Sequence, residues 1–287
     1  MGVLNVTPDS FSDAGLHFDC DRAVEHGLKL LCDGADIVDV GGESTRPGAR
    51  VLASEVSNGS SQSNSAQTAG GKTGVSEKEE LERVIPVITR LKKEKPDAIV
   101  SIDTYKAAVA RAAVEAGAEI VNDVSGFLWD PRMAKTVAEL KCGAVLVHTR
   151  GRPEEWRSLP HVADMVTLVK RELRDRADLA QMAGVKRERL VLDPGFGFGK
   201  NQEENYPLLK RFEELHQLRY PLLVGVSRKS FIGRALAHDG KDVRVDDRLY
   251  GTLAAETTAI AKGAHIIRTH DVRACADVAR IADLVAG

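Results

Sequence analysis

The sequence predicts an α/β protein built as a single (β/α)8 TIM barrel, with its active site at the C-terminal ends of the strands. Eight short apolar runs alternate with eight longer stretches of helical spacing. The runs carry apolar residues at consecutive positions, which is typical of parallel strands buried on both faces. The 287 residues suit one barrel, since such barrels commonly need about 250 residues. A doubly wound open sheet is the alternative architecture.

Runs rich in Val, Ile and Leu predict the strands. They cover residues 2–5, 37–40, 99–102, 119–122, 144–147, 190–192, 222–226 and 266–268. Apolar residues at helical spacing between these runs predict eight helices. They cover residues 21–33, 77–93, 106–116, 131–140, 162–183, 203–215, 247–262 and 272–285.

Glycines support these boundaries, because a left-handed residue commonly follows the end of an α-helix. Five of them follow a predicted helix: Gly34, Gly117, Gly143, Gly184 and Gly263.

One segment departs from the alternation. Residues from about 51 to 76 are rich in Ser, Gly, Asn and Gln, and bury too little apolar surface to offset the entropy of ordering. We therefore expect a flexible insertion after the second strand, inside one domain that spans residues 1–287. Tolerated length variation is the simpler interpretation, because long surface loops cost little closure entropy. A lid over the site is the alternative.

Composition excludes several classes of protein. The net charge of −2 gives no reason to expect binding to nucleic acid or to anionic membranes. No apolar run reaches the roughly 20 residues that a membrane helix needs. The four cysteines are far apart and form no C-x-x-C pair, which favours reduced thiols over disulfides or a zinc site. We expect a cytoplasmic protein.

Polar residues follow every predicted strand. They are Asn5, residues 41–46, Asp103, Asn122 with Asp123, His148, Asp193, residues 227–229, and Arg268 with His270. A single Asp or Asn at such a place is often only a helix cap. Eight polar strand ends on one rim indicate a binding site instead, because barrel sites are built where strands end.

The residue types divide the predicted rim into two sides. Asp103, Asn122 and Asp193 suit a flat heterocycle whose amino-pyrimidine edge donates N–H groups, and Lys229 can donate to a ring carbonyl or nitrogen.

The other side of the rim suits an anion. Arg268, His270, Arg46 and the amide of Asn5 can bind phosphate or carboxylate oxygens.

Two other chemistries are disfavoured. The turn at residues 193–200, DPGFGFGK, lacks the spacing of a phosphate-binding P-loop, and the dinucleotide fingerprint G-x-G-x-x-G is missing. No H-E-x-x-H motif or Cys/His cluster indicates transition-metal catalysis. Any metal would be an oxygen-liganded Mg2+ shared with a phosphate.

Seven stretches resemble the signatures of dihydropteroate synthases, in the order in which that family has them. They cover residues 2–13, 41–48, 101–104, 122–126, 193–200, 227–230 and 268–272. NVTPDSFSD at residues 5–13 and GGESTRPG at residues 41–48 are the most specific. The resemblance extends over nearly the whole chain outside the predicted insertion.

The resemblance implies an enzyme that joins 6-hydroxymethyl-7,8-dihydropterin pyrophosphate to 4-aminobenzoate and releases 7,8-dihydropteroate and pyrophosphate. It also implies Mg2+ as cofactor, a homodimer formed through outer helices, and a target of sulfonamides.

The resemblance also assigns site residues. The pterin would be held by Asp103, Asn122, Asp193 and Lys229. The pyrophosphate would be held by Asn5, Arg268 and His270, with Asn5 also near Mg2+. The 4-aminobenzoate side would be formed by Phe11, Thr45, Arg46, Pro47, Phe198, Lys229 and Ser230. The catalytic set would be Asp13, Lys229, Arg268 and His270.

The implied scheme is dissociative: pyrophosphate leaves first, a pterin-stabilised methylene cation forms, and the arylamine attacks it. Cations would neutralise the leaving group, and exclusion of water would protect the intermediate. One departure from the family lies at residues 148–151, His-Thr-Arg-Gly, where relatives commonly have a methionine after the histidine. This change predicts a smaller and more polar pterin wall.

Two rival functions explain the sequence less completely. A corrinoid-dependent pterin-binding methyltransferase would explain Asp103, Asn122 and Asp193, but not Lys229 with Ser230 or the anion side. A non-catalytic pterin-binding homologue would not need the complete set of site residues.

Overall fold

Parallel strands form the centre of the molecule in the computed structural model, which describes residues 1–6, 16–44, 51–52 and 74–286. Six of them form one sheet in chain order. They are β1 (Gly2–Asn5), β2 (Ile37–Gly41), β3 (Ile99–Asp103), β4 (Ile120–Asp123), β5 (Gly143–Val147) and β6 (Leu190–Asp193). A second parallel pair is formed by β7 (Leu223–Val224) and β8 (Ile266–Ile267).

Backbone hydrogen bonds join the two sheets at both edges. The N–H of Leu192 in β6 donates to the carbonyl of Pro221, just before β7, at 3.0 Å. The N–H of Val3 in β1 donates to the carbonyl of Thr269, just after β8, also at 3.0 Å. Both outer strands of the six-stranded sheet therefore meet the β7–β8 pair.

Helices connect the successive strands. They are α1 (Leu16–Cys32), α2 (Glu77–Glu94), α3 (Ala107–Glu115), α4 (Met133–Leu140), α5 (Met165–Met182), α6 (Gln202–Lys210), α7 (Ser230–Ala235), α8 (Leu249–Ala261) and α9 (Val272–Ala286). Each predicted strand and helix overlaps with an observed one, so the predicted alternation is confirmed. Within the described residues, no helix is both long enough and apolar enough to cross a membrane.

Several elements differ in extent from the sequence prediction, and one helix was missed. The short helix α7 was not predicted. The predicted helix 203–215 ends at Lys210 and continues as a 3-10 turn, Phe212–Leu218. Pro207 inside α6 lacks a backbone N–H and weakens the helix there. Strand β7 is two residues long, not five.

Most helix-ending glycines adopt the predicted conformation. Gly34, Gly117, Gly184 and Gly263 have φ between 84° and 116°. The prediction for Gly143 was wrong, because α4 ends earlier, with Lys141 in the left-handed conformation at φ 54°, and Gly143 begins β5.

Apolar side chains pack on both faces of the strands, as the largely apolar runs predict. In β5, Ala144 and Leu146 belong to the large cluster that the helices cover. Val145 and Val147, on the opposite face, join a separate cluster with Met1 and Leu223. This second cluster joins Met1, just before β1, to β5 and β7.

The predicted flexible insertion lies almost wholly outside the described residues, so its mobility stays a prediction. Val51 at its start is buried in a cluster with Tyr105, Val124 and Trp129. Ser76 at its end caps α2: its hydroxyl accepts from the N–H of Glu79, and its own N–H donates back to the Glu79 carboxylate.

Candidate functional site

Strand register places three of the predicted site residues in one row. Asn5 pairs with Gly41, Gly41 with Asp103, and Asp103 with Asn122. A Cβ built on Gly41 would lie 3.7 Å from Oδ2 of Asp103 and 3.9 Å from Oδ1 of Asn5. Because Gly41 has no side chain, the carboxylate and the amide face the same open position.

Arg268, directly after β8, joins this row through two carboxylates. Its Nε donates to Oδ2 of Asp39 at 2.6 Å, and its Nη2 donates to Oδ2 of Asp103 at 2.7 Å. Burial lowers the pKa of Arg268, but Asp39 and Asp103 outweigh that effect and raise it, so the guanidinium is charged. These bonds use two of its five N–H groups and leave the others for an anion.

Asp39 holds Asn122 as well as Arg268. Its Oδ2 accepts from Nδ2 of Asn122 at 3.0 Å, and the carboxylate is fully buried. Since a carboxylate only accepts, Asn122 must turn its NH2 group towards Asp39. Oδ1 of Asn122 is buried and has no hydrogen-bond partner among the described residues, which leaves it as an acceptor for a ligand N–H.

Asp193, at the end of β6, lies beside Arg268. A Cβ on Gly225 would be 3.9 Å from both Oδ2 of Asp193 and Cβ of Arg268. The other carboxylate oxygen of Asp193 accepts from the N–H of Gly195 at 2.7 Å. Burial raises the pKa of Asp193 to about 6, although this hydrogen bond and the cation of Lys229 oppose the change. Burial likewise raises the pKa of Asp103 to about 7, against the charge of Arg268.

Lys229 lies over the ring of Phe198, with its Nζ 3.8 Å from the ring centroid. Burial lowers the pKa of this lysine to about 8; Arg268 lowers it further and Asp193 opposes the shift. Lys229 is therefore mostly protonated at pH 7 and loses its proton near pH 8. Ser230, the next residue, begins α7 and is exposed.

His270 is oriented by Ser227. The hydroxyl oxygen of Ser227 lies 3.0 Å from Nδ1 of His270 and accepts from its backbone N–H at 3.1 Å. Burial lowers the pKa of His270 to about 4, and the charges of Arg268, Arg228 and Lys229 lower it further. The imidazole is therefore neutral at neutral pH, so in the absence of an anion it offers a hydrogen bond and not a positive charge.

His148, another polar strand end, has both ring nitrogens engaged by protein groups. Nδ1 lies 2.9 Å from Nζ of Lys200, and Nε2 lies 3.0 Å from the carboxylate of Glu172. The adjacent Thr149 is buried. His148 thus belongs to the support of the site, and the predicted polar pterin wall at this position stays a prediction.

Five of the predicted site residues lie outside the described part of the chain: Phe11, Asp13, Thr45, Arg46 and Pro47. The backbone that leads to Thr45 is anchored. Nζ of Lys106 pairs at 2.5 Å with each of two carboxylates, Glu43 and Glu80, and all three side chains are buried. The described residues therefore include those predicted to hold the pterin and the pyrophosphate, but only part of those predicted to form the aminobenzoate side.

Known proteins resemble this chain over nearly its whole length. The family model described as "Pterin binding enzyme" matches residues 1–58 and 64–270. The dihydropteroate synthase of Synechocystis sp. is 42% identical over 99% of this chain and 88% of that protein.

The chain belongs to the dihydropteroate synthase family.

Solved structures of the family agree with the fold. The dihydropteroate synthase of Xanthomonas albilineans with 4-aminobenzoic acid has a TM-score of 0.83 and 41% identity, covering 99% of this chain and 91% of that one. The same enzyme with 7,8-dihydropteroate has a TM-score of 0.80 and 38% identity, over 99% and 92% of the two chains.

Sequence reasoning missed two buried charged residues that support the candidate site. Asp39 interrupts an otherwise apolar strand, and a carboxylate in such a place is costly unless it is paired. The free-energy cost of burying an unpaired carboxylate could therefore have indicated that Asp39 has a charged partner. Lys200 lies in the 193–200 stretch that resembles the family, but nothing in the sequence around it indicates that its side chain is buried.

Proposed function

We propose that the protein catalyses the condensation of 6-hydroxymethyl-7,8-dihydropterin pyrophosphate with 4-aminobenzoate, which yields 7,8-dihydropteroate and pyrophosphate. The observation that carries this proposal is the meeting of Asp103, Asn122 and Asp193 with Lys229 and Arg268 at one end of the strands. Membership of the dihydropteroate synthase family supports it, and so do relatives solved with 4-aminobenzoic acid and with 7,8-dihydropteroate.

The same proposal includes a closed eight-stranded barrel in one domain spanning residues 1–287. Its support is the pair of edge contacts, Leu192 with Leu222 and Gly2 with Thr269, which link β6 to β7 and β8 to β1. A closed barrel places all eight strand ends on one rim, where the polar residues would meet.

The pterin would bind between Asp103, Asn122, Asp193 and Lys229. Ionised carboxylates accept from the amino-pyrimidine N–H groups, as they would from a guanidinium. Oδ1 of Asn122, which lacks a protein donor, would accept a further N–H, and Lys229 would donate to a ring acceptor.

The pyrophosphate would bind on the side of Asn5, Arg268 and His270. Arg268 is already fixed by Asp39 and Asp103, so little side-chain entropy is lost when an anion binds to its remaining N–H groups. A bound dianion would favour protonation of His270, because an opposite charge nearby stabilises the imidazolium.

The 4-aminobenzoate would bind beside Phe198 and Ser230, with Phe11, Thr45, Arg46 and Pro47 completing its side. Asp13 is proposed to stabilise positive charge during the reaction. These assignments rest on the family resemblance for the residues outside the described ranges.

The chemistry proposed is a dissociative transfer. The bond between the pterin methylene carbon and the pyrophosphate oxygen breaks, and its electron pair leaves with the oxygen. Arg268 stabilises that developing charge, and Asp103 and Asp193 stabilise the pterin cation. The arylamine lone pair then forms the carbon–nitrogen bond, and the nitrogen loses a proton. Positioning and electrostatics suffice, so no covalent enzyme intermediate is required.

Mg2+ is proposed as cofactor, held jointly by Asn5, pyrophosphate oxygens and water. The amide oxygen of Asn5 is a ligand of the type that Mg2+ prefers. In residues 1–6, 16–44, 51–52 and 74–286, no group of three His, Cys, Asp or Glu could hold a metal. When bound, the cation would offset charge on the pyrophosphate.

A homodimer is proposed through the outer helices. Tyr250 on α8 is 84% exposed, and Leu236 and Val245 nearby are also exposed, which makes this apolar patch a candidate contact surface. Equilibrium sedimentation of the protein and of a Tyr250→Glu variant tests this. A wild-type monomer, or a variant that dimerises equally well, would refute the assignment.

The proposed reaction is tested by measuring pyrophosphate release. We expect release only when the pterin pyrophosphate and 4-aminobenzoate are both present, with inhibition by a sulfonamide that competes with the arylamine. Formation of dihydropteroate should match pyrophosphate one to one. Release without arylamine would indicate a hydrolase, and its absence with both substrates would refute the proposal.

A further inference from the structure

The glycine-rich turn after β6 has one internal backbone hydrogen bond, from the N–H of Phe198 to the carbonyl of Gly195 at 3.1 Å. Gly195, Gly197 and Gly199 adopt left-handed conformations, with φ of 65°, 78° and 64°. Glycine is the most flexible residue in such conformations, so ordering this backbone is entropically costly. Groups outside the turn must therefore fix it.

Lys200 supplies several of these contacts, together with Asn205, which accepts from the N–H of Gly197 at 2.7 Å, and Arg150, which donates to the carbonyl of Gly199 at 3.1 Å. Its buried Nζ donates to the carbonyls of Gly195 at 2.7 Å and Phe198 at 3.3 Å. On the other side, Nζ lies 2.9 Å from Nδ1 of His148 and 3.3 Å from the His148 carbonyl. One side chain thus joins both ends of the turn to the end of β5.

The partner of Lys200 is itself held in one orientation. The carboxylate of Glu172 lies 3.0 Å from Nε2 of His148 and can only accept there, so that nitrogen carries the proton. Nδ1 is then an acceptor and faces Lys200. Three carbonyl oxygens and one imidazole nitrogen surround Nζ, which is one acceptor more than the three N–H donors of a lysine ammonium.

The turn determines where the ring of Phe198 lies. One side of that ring faces Nζ of Lys229 at 3.8 Å, and Trp156 contacts it edge-on, with centroids 5.4 Å apart. Trp156 belongs to the loop that follows β5. Lys200 therefore connects the same two loops that meet at the Trp156–Phe198 pair.

We propose that Lys200 is a positioning residue for the arylamine: it fixes the 195–199 turn to β5 and thereby places Phe198 against Lys229. This inference rests on the proposed function, in which Phe198 forms the 4-aminobenzoate side. Lys200 contacts no substrate, and its effect passes through the backbone of the turn.

Steady-state kinetics of Lys200→Met, measured at pH 8 where Asp193 is ionised, test the proposal. Since misplacing a binding group by about 1 Å can cost up to about 100-fold, we expect the KM for 4-aminobenzoate to rise at least about tenfold. The KM for the pterin pyrophosphate should change less, because Asp103 and Asn122 lie on other strands, whereas Asp193 adjoins the turn.

Arg176→Met is the matched control. Arg176 is a buried cation on α5 that donates to the carbonyls of Val147 and Thr149, at the end of β5, at 2.7 Å each; it also pairs with Glu172 at 3.8 Å. Its loss destabilises the same strand end without releasing the turn. We expect both KM values of this variant to stay within about twofold of wild type.

A fluorescence signal reports the turn without requiring turnover. The chain has two tryptophans, so the background Trp129→Phe leaves Trp156 as the reporter. In that background, Lys200→Met should shift the emission to longer wavelength and increase quenching by acrylamide, while Arg176→Met should not. If Lys200→Met does not fold, Lys200→Gln, which keeps an N–H donor, should give an intermediate rise in the arylamine KM.

The outcomes separate the two proposals. A wild-type protein without pyrophosphate release would refute the proposed function, while the fluorescence would still test the role of Lys200. An active wild type with an unchanged arylamine KM in the Lys200 variants would refute the positioning role. Equal changes in both KM values, matched by Arg176→Met, would also refute it.

Discussion

Replacing Lys229 with methionine removes the cation over Phe198 and keeps the length of the side chain. A hydrogen bond from a charged donor contributes about 1.5–3 kcal/mol. The lost cation–aromatic contact adds about 1 kcal/mol, of which a methionine sulfur recovers a part. We therefore expect a loss of about 2–3 kcal/mol in transition-state binding, which is about a 30- to 150-fold lower kcat/KM.

Stability should change in the opposite direction. The pKa of Lys229 is about 8 in the folded protein, below the ordinary 10.5, because burial disfavours the charged form. This charge therefore opposes folding below pH 8, and the penalty fades as the pH rises from 8 towards 10.5. Lys229→Met should keep or raise the Tm at pH 7, while activity falls.

Pyrophosphate release and differential scanning fluorimetry at pH 7 measure the two effects. Lys262→Met is the matched control, since Lys262 forms a surface pair with Glu213 and should affect neither quantity. Wild-type kcat/KM in Lys229→Met, or an activity loss that merely follows a lower Tm, would refute the reasoning.

Three further predictions concern pH, a buried acid and a turn. The kcat/KM of the wild type should rise between pH 6 and 7, as Asp193 and Asp103 ionise, and fall above pH 8, as Lys229 loses its proton. A flat pH profile over this range would contradict these assignments. Burial raises the pKa of Glu256 to about 7, so its ionisation opposes folding above pH 7 and not below pH 4.5. Urea unfolding should show that Glu256→Gln is more stable than wild type by about 2–3 kcal/mol at pH 8, with little change at pH 4.5. An equal gain at both pH values would show that ionisation is not the cause. Gly195→Ala would place its Cβ 1.9 Å from the His148 carbonyl oxygen and should lower the free energy of unfolding by more than about 3 kcal/mol. Gly240→Ala has a similar φ and nothing within 4 Å of its Cβ, so it should lower that free energy by only about 1–2 kcal/mol. Equal Tm values for the two variants would show that the close contact at residue 195 is relieved without cost.

The sequence determined the order and type of most elements, because apolar periodicity is a local property. The largely apolar runs predicted strands covered on both faces, and β5 has apolar clusters on both sides. The polar residues after the strands predicted the row formed by Asn5, Asp103 and Asn122. Parallel strands align their carboxyl ends, so residues that follow different strands in the sequence lie close together in the structure.

Local patterns were less reliable where short elements end. Gly143 begins a strand although it follows a predicted helix, since Lys141 already takes the left-handed conformation at the end of α4. Helix α7 has only six residues, too few for a clear periodic signal. In both places the surrounding fold decided between local conformations of similar energy.

Only the tertiary structure decided which charges meet and how strongly burial acts on them. Arg268 pairs with Asp39, which is 229 positions away in the chain, and Lys200 reaches His148 across 52 positions. No spacing rule connects such residues. The pKa of Asp193 or His270 likewise depends on how completely the folded chain excludes water, a property of the packed molecule and not of its sequence pattern.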